Sequence, residues 1–137
     1  MFESMEDLNY VYSEIFKNKD DVHTHGSHTL FRNTGGSKYR QKQVTFPRDG
    51  KVRAFPTVRI YVHQVVLLKK LNVLSLEPGL ETSHLCHVKN CIKEDHIVAE
   101  PHHINNNRIH CLRERTDIGD KNYCRGHDPY ARCLPQD

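Results

Sequence analysis

The chain is 137 residues long, and 36% of its residues are hydrophobic, with no Trp and a mean hydropathy of −0.72. This length fits one domain, and no apolar run approaches the ~18 residues of a membrane-spanning helix. We therefore expect residues 1–137 to form a single domain with a small core and no membrane partner. The net charge of +3 is modest, but it is distributed unevenly along the chain.

The N-terminal sequence MFESMEDLNYVYSE is acidic and lacks the pattern of a signal peptide. We expect an intracellular protein, located in the nucleus if the host is eukaryotic. In a reducing compartment, five cysteines indicate metal ligands before disulfides, and their odd number argues against a closed disulfide set. Bound metal would also compensate for the small core.

The first 21 residues are predicted to contain an N-terminal helix. Apolar residues at helical spacing run through 4–18, and Ser4 is suited to be the N-cap. The apolar positions are Leu8, Val11, Tyr12, Ile15 and Phe16. Residues 20–37 are polar and contain glycine, which predicts a loop.

Residues 32–59 carry eight basic side chains and one acidic one, a density that indicates binding to a polyanion. We predict a strand over 38–46, a hairpin turn at Asp49-Gly50, and a return strand that includes Arg53 and Phe55. A twisted antiparallel ribbon of this kind fits the major groove of double-stranded DNA. Alternation along a strand would project three of the basic residues from one face. The predicted DNA contacts are Lys38, Arg40, Lys42, Arg48 and Lys51.

Residues 57–72 are predicted to pass from a short strand into a helix with Val65, Val66 and Leu68 in the core, and residues 76–82 to form a turn. Pro101 marks the start of a further helix, because proline favours the first helical turn. The chain is therefore expected to be an α+β protein with few helices.

All five cysteines lie between residues 84 and 133, together with seven of the eleven histidines. Zinc prefers four nitrogen or sulfur ligands in a tetrahedron, and Cys/His pairs at short spacing supply them. One complete set is Cys111, Cys124, His127 and Cys133. A second set, formed by Cys86, Cys91 and His96, lacks one ligand. Its upstream candidates are His23, His25, His28 and His63, of which we prefer His28 and then His25.

Two further residues of this segment suit phosphodiester hydrolysis. His84, two residues before Cys86, can act as a general base near neutral pH. Asn105, on the helix predicted after Pro101, offers a neutral oxygen to magnesium or manganese, and such a cation stabilises charge on the phosphate and the leaving oxygen. A strand that carries His84, a zinc loop and a helix that carries Asn105 would form a ββα unit.

The run SHLCH, followed by Cys91, His96, Asn105 and Cys111, closely resembles the His-Cys box homing endonucleases, a family of the ββα-metal (His-Me finger) nucleases. The resemblance implies a small zinc-stapled ββα-metal fold, with residues 83–133 as a catalytic region that holds two structural zinc ions. It also implies that His84 is the general base and Asn105 the magnesium ligand. Upstream, GKVR followed by QVV resembles the segment with which the family contacts phosphate, which implicates Arg53 in catalysis.

The expected activity is site-selective, magnesium-dependent cleavage of both DNA strands, with 5′-phosphate and 3′-hydroxyl products. We expect a homodimer, through a surface other than an exchanged C-terminal tail, since four residues follow Cys133. One alternative is a zinc-containing DNA-binding module without catalysis, against which the presence of both His84 and Asn105 argues. Another is a less selective nuclease, which would not need the ribbon.

Overall fold

The structure, a computed structural model, describes residues 2–32 and 39–136. Within these ranges the chain forms an α+β fold with three helices and three two-stranded antiparallel sheets. In chain order the elements are α1 (Met5–Phe16), β1 (Val22–His25), β2 (His28–Phe31), β3 (Gln41–Thr45), β4 (Thr57–Tyr61), α2 (Val62–Leu71), β5 (Leu80–His84), β6 (Ile97–Pro101) and α3 (His102–Ile118). None of these helices combines the length and the apolar character that crossing a membrane requires.

The predicted N-terminal helix is confirmed as α1. The Oγ atom of Ser4 accepts a hydrogen bond from the N–H of Asp7, the usual contact of an N-cap. The face formed by Leu8, Val11 and Ile15 is fully buried against α2 and the β3–β4 sheet. Burial of this apolar stripe, rather than intrinsic propensity, holds a helix of 12 residues in place.

The loop predicted over residues 20–37 is wrong for the part that the structure describes. Strands β1 and β2 pair there, and the register of His25 opposite His28 leaves Gly26 and Ser27 as a two-residue turn. Gly26 has φ of 58°, a value that glycine adopts without strain. Strand β2 is also fixed on its other side, because the N–H of Ile92 donates to the Thr29 carbonyl and the N–H of Phe31 to that of Asn90.

The predicted ribbon exists as β3 and β4, but the hairpin is wider than expected. Thr45 pairs with Thr57, so residues 46–56 form the connection, and Arg53 and Phe55 lie in this loop rather than on a strand. Strand β4 then passes directly into α2, as predicted, and Val65, Val66 and Leu68 are buried. Lys38 lies outside the described residues.

The C-terminal half forms the predicted ββα unit. Strands β5 and β6 pair with Leu80 opposite Pro101 and His84 opposite Ile97, so the predicted turn over 76–82 ends at residue 79. Pro101 is the N-cap of α3 rather than its first helical residue. This arrangement brings the end of β5 close to the first turns of α3.

Candidate metal centres and nuclease site

The first Cys/His cluster joins distant parts of the chain. It consists of His28, Cys86, Cys91 and His96, all buried, with one potential ligand atom from each within 4.8 Å of the others. Because β2 lies beside residues 90–92, His28 reaches a loop that begins more than fifty residues later. The structure thus brings the preferred upstream histidine, rather than His25, to this cluster.

The donor atoms of this cluster fit zinc. The Sγ of Cys91 lies 3.6 Å from Nδ1 of His96, close to the roughly 3.3–3.8 Å between ligands that share a tetrahedral zinc. The Nε2 of His28 donates to the Gln136 carbonyl at 2.5 Å, whereas its buried Nδ1 has no hydrogen-bond partner among the described residues. An imidazole whose distal N–H is held by a carbonyl is the usual form of a zinc ligand.

The second cluster, formed by Cys111, Cys124, His127 and Cys133, fixes the C-terminal loop to α3. The N–H groups of Gly126 and Cys133 donate to Sγ of Cys124, and the Nε2 of His127 is 3.3 Å from Sγ of Cys133. Burial raises the pKa of the Cys133 thiol to about 12, a penalty that a bound cation would offset because it favours the thiolate. The two clusters are suited to two zinc ions per chain.

A buried ion pair supports the second cluster. Arg108 of α3 donates from Nε and Nη2 to the two carboxylate oxygens of Glu100, at 2.6 and 2.8 Å, and both side chains are almost completely buried. The Nη1 of Arg108 is 3.4 Å from Sγ of Cys133. Arg108 therefore connects β6, α3 and one cysteine of the cluster through a single guanidinium group.

His84 is the last residue of β5, and its tautomer follows from one hydrogen bond. Its Nε2 lies 2.8 Å from the carbonyl oxygen of Cys91. Because a carbonyl can only accept, Nε2 carries the proton and Nδ1 keeps a lone pair that can accept one. Burial lowers the pKa of His84, partly offset by this hydrogen bond, so the imidazole is neutral at neutral pH. This is the state that a general base requires.

Aromatic rings surround the imidazole of His84. The ring centroids of Tyr39 and His63 lie 5.8 and 4.9 Å away, and these two rings stack on each other at 4.7 Å. The ammonium group of Lys89 lies 5.3 Å from the centroid of the Tyr39 ring. Burial lowers the pKa of His63 to about 3, so a second neutral imidazole stands beside His84.

Asn105 lies on α3 next to the end of β5. Its Oδ1 accepts from Oγ of Ser83 at 2.9 Å, and its Nδ2 donates to Oε1 of Glu81 at 2.7 Å. Ser83 immediately precedes His84, so one residue of β5 links the amide to the imidazole. The Asn105 hydrogen bond, with support from His102, lowers the pKa of Glu81 and keeps it a carboxylate. Sequence reasoning missed Glu81 and Ser83, although their i, i+2 spacing on the strand signals a shared face.

The structure separates Arg53 from His84, contrary to our expectation. The guanidinium of Arg53 pairs with Asp7 at 2.9 Å and with Asp49 at 3.2 Å, and it lies over the ring of Phe46. Phe46 follows the last residue of β3, whereas the Tyr39 ring beside His84 precedes the first, so Arg53 and His84 lie near opposite ends of this strand. Two carboxylates fix Arg53 as a link between the loop and α1.

The outward face of the ribbon is also not the one that was predicted. Lys42 shares its face with Val44, which is buried, and pairs with Asp21 at 3.9 Å. The outward face is formed by the alternate residues of β3 and β4 that point away from Val44: Gln41, Gln43, Thr45, Thr57, Arg59 and Tyr61. Of the remaining predicted contacts, Arg40 lies next to β3, Arg48 and Lys51 lie in the exposed loop, and Lys51 pairs with Glu6 at 2.9 Å.

Residues 17–134 match the family model described as the zinc-binding loop region of homing endonuclease. No curated protein and no solved structure matches the chain significantly. The matched residues include both Cys/His clusters, His84 and Asn105, and the family implies a DNA-related role. With a ββα unit that carries residues of two clusters suited to zinc, the chain belongs to the homing endonuclease family defined by this zinc-binding loop region.

Proposed function

We propose that the chain is a metal-dependent DNA endonuclease in which His84 is the general base and Asn105 binds the divalent cation. The observation that carries this proposal is the hydrogen bond from Nε2 of His84 to the Cys91 carbonyl, which leaves Nδ1 able to accept a proton. The contact between Ser83 and Asn105 supports the pairing of the two groups.

In the proposed reaction, Nδ1 of neutral His84 takes a proton from the water that attacks the scissile phosphorus. The Cys91 carbonyl keeps the imidazole in its orientation and stabilises the positive charge that forms on it. A magnesium or manganese ion bound at Asn105 would neutralise charge on the phosphate and on the departing 3′ oxygen. The products would carry 5′-phosphate and 3′-hydroxyl ends.

The outward face of the ribbon is the surface that we propose for DNA. Arg59 of β4 pairs with Gln43 of β3, and Gln41 lies two residues before Gln43 on the same face of β3. Arginine forms bidentate hydrogen bonds with guanine, and glutamine does so with adenine, so these residues are suited to read base edges in the major groove. Exposed Arg48 and Lys51 in the connecting loop would add contacts to phosphate.

Double-strand cleavage would require two copies of the site, since one ββα site cuts one strand. We therefore propose a homodimer on a target with two-fold symmetry. Site selectivity, and the nucleus as the location in a eukaryotic host, belong to the same proposal. A plasmid library with magnesium tests cleavage and dimerisation together, because a linear product requires two cuts and a nicked circle only one. A product that stays nicked at saturating protein would contradict the dimer.

The decisive variant is His84→Ala. We expect normal zinc content and DNA affinity, because His84 belongs to neither cluster, and a loss in cleavage rate on the order of 10²–10⁴, the usual contribution of a positioned base. The matched control is His87→Asn in the same loop. His87 has φ of 61°, a conformation that asparagine tolerates, so this variant should fold and retain its activity. Equal rates for wild type and His84→Ala would refute the assignment.

The near-complete burial of His84 favours a second candidate, a zinc-containing DNA-binding module without catalysis. In this case His84 would serve only to pack β5 against the ring of His63. The two candidates differ in one measurement, since the module would bind DNA but would not cleave the plasmid library with magnesium or manganese at any protein concentration. Such a result, with two zinc ions bound, would establish the module instead.

A further inference from the structure

A carboxylate lies beside the amide of Asn105. Oε1 of Glu81 is 2.7 Å from Nδ2 of Asn105, and the same carboxylate is 3.0 Å from Nδ1 of His102 at the start of α3. Glu81 is partly exposed, with 38% of its side chain accessible, so a cation can reach it from solvent. Ser83, on the same face of β5, contacts the opposite end of the amide through its Oγ. The amide is thus held between a carboxylate and a hydroxyl.

This arrangement allows the amide to turn. The oxygen and the NH₂ group of an asparagine side chain have nearly the same shape, and rotation by about 180° exchanges their positions. In the turned state, Nδ2 would donate to Oγ of Ser83, because a hydroxyl can accept as well as donate. The Oδ1 of Asn105 would then face Oε1 of Glu81 across about the same 2.7 Å.

Two oxygens at that separation are suited to a small divalent cation. Octahedral magnesium binds oxygen at about 2.0–2.1 Å, which places neighbouring ligands roughly 2.9 Å apart. Without a cation, two acceptors face to face repel each other, and the amide presents its NH₂ group to the carboxylate. With a cation between them, the turned state becomes favourable because both oxygens coordinate it.

We propose that Glu81 is a second protein ligand of the divalent cation and that the Asn105 amide turns when the cation binds. This inference rests on the proposed function, because it takes Asn105 to be a cation ligand. It adds a negative charge to a site that would otherwise offer one neutral oxygen, and a charged ligand increases affinity for a hard cation. The Oγ of Ser83 accepts a hydrogen bond from the displaced NH₂ group, and Nδ1 of His102 contacts the same carboxylate at 3.0 Å.

The test measures cation binding directly. The zinc-loaded full chain is titrated with Mn²⁺ alone, and free Mn²⁺ is followed by its electron paramagnetic resonance signal. We expect Glu81→Gln to weaken Mn²⁺ binding about tenfold or more, because glutamine removes the charge and keeps the shape. Glu77→Gln is the matched control, since it removes the same charge in the exposed turn before β5, and its affinity should equal that of wild type.

A double-mutant cycle separates a ligand from a residue that only orients Asn105. If Glu81 binds the cation, Glu81→Gln weakens Mn²⁺ binding also in an Asn105→Ala background. If Glu81 acts through Asn105, its effect disappears in that background, and the proposal is overturned. It is equally overturned if wild type and Glu81→Gln bind Mn²⁺ alike, or if wild type does not bind it at millimolar concentrations.

The same variants distinguish a failure of this inference from a failure of the proposed function. One outcome is magnesium-dependent DNA cleavage by wild type with equal Mn²⁺ affinities for wild type and Glu81→Gln. This outcome would support the proposed nuclease activity and refute Glu81 as a cation ligand. Absence of DNA cleavage under all conditions would refute the proposed nuclease activity itself. Weaker Mn²⁺ binding by Glu81→Gln in both backgrounds, together with cleavage by wild type, supports both proposals.

Discussion

His63 is a buried imidazole that makes no hydrogen bond from Nδ1 among the described residues; its ring stacks on Tyr39 and is tilted against His84. Its protonation would place a charge in an apolar environment beside a second imidazole. Burial, with a smaller contribution from His84, accordingly lowers its pKa from 6.5 to about 3. This residue links the stability of the fold to pH.

The direction of the pH effect follows from linkage. The unfolded chain protonates His63 below pH ~6.5, and the folded chain does so only near pH 3, so folding stability falls as the pH is lowered through this window. Between pH 7 and pH 5 the contribution of His63 should fall by about 2 kcal/mol. Denaturant unfolding of wild type and His63→Phe at both pH values measures it, because the acid sensitivity of the zinc ligands cancels in the comparison. A difference that is independent of pH would contradict the prediction.

Arg108 and Glu100 form a pair whose partners depend on each other. Removal of one partner leaves a buried charge without compensation, at a cost of about 3–5 kcal/mol, whereas replacement of both by apolar residues costs much less. We expect Arg108→Met to destabilise the zinc-loaded protein strongly, and Arg108→Met combined with Glu100→Leu to recover most of the loss. The free energy of unfolding measures both. If the double variant is as unstable as the single one, the contact between Arg108 and Cys133 is the more important one.

At the scale of the elements, the ribbon shows where sequence reasoning succeeds and where it fails. The first strand and the passage from β4 into α2 follow from local patterns and were predicted, whereas the tight turn at Asp49-Gly50 and the return strand through Arg53 were not found. The predicted DNA-binding face of the ribbon was wrong because it was chosen from the positions of the basic residues. Val44 has the same parity as Lys42, and the burial of Val44 fixes which side of β3 meets the core. An apolar residue inside a basic strand is the better guide to orientation.

The β1–β2 hairpin was missed for a different reason. Its strands are only four residues long and rich in His and Thr, so they carry little hydrophobic signal. The Gly26-Ser27 pair is a recognised two-residue turn signal and could have identified the hairpin. The contacts of Glu81 with Asn105 could not be predicted, because they depend on how β5 and α3 pack.

The corrected face leads to a prediction for DNA binding. Arg59→Ala should weaken binding and, if the guanidinium contacts phosphate, reduce the slope of log affinity against log salt by about 0.9. If it reads a base instead, discrimination at one position of the target should relax while the slope is preserved. Lys42→Ala is the comparison, because Lys42 lies on the core-facing side and pairs with Asp21. A larger loss of DNA affinity for Lys42→Ala than for Arg59→Ala would instead support the face with Lys42 as the one that contacts DNA.

For the whole molecule, the main prediction concerns zinc. Elemental analysis should find two zinc ions per chain, and Cys124→Ser should retain one, because its cluster shares no ligand with the first. Chelation should unfold the region around the clusters, since the binding energy of structural zinc is largely folding energy. Circular dichroism and zinc content, measured together during titration with a chelator, test this. One zinc ion in the wild type, or full helicity after complete removal of zinc, would contradict it.

The sequence was most informative about ligands and least about what surrounds them. Seven of the eight cluster residues follow from residue type and spacing, and His28 was the preferred one of four candidate histidines for the remaining position. The Gln136 carbonyl that holds His28 and the guanidinium beside Cys133 could not be foreseen, because they join segments that are far apart in the chain. The two carboxylates that pair with Arg53 could not be foreseen either, because a motif match carries no information about them.

The hydrogen bond between His28 and Gln136 bears on the order in which the protein is made. The residue that completes the first cluster is synthesised early, and the carbonyl that orients it is 108 positions later. The N–H of Leu134 also donates to the Leu85 carbonyl, directly after His84. A nascent chain on the ribosome would therefore lack these contacts until residue 136 has emerged. The segment around His84 would reach its final form only after residue 136 has emerged, so the proposed cleavage of DNA would begin only after this point.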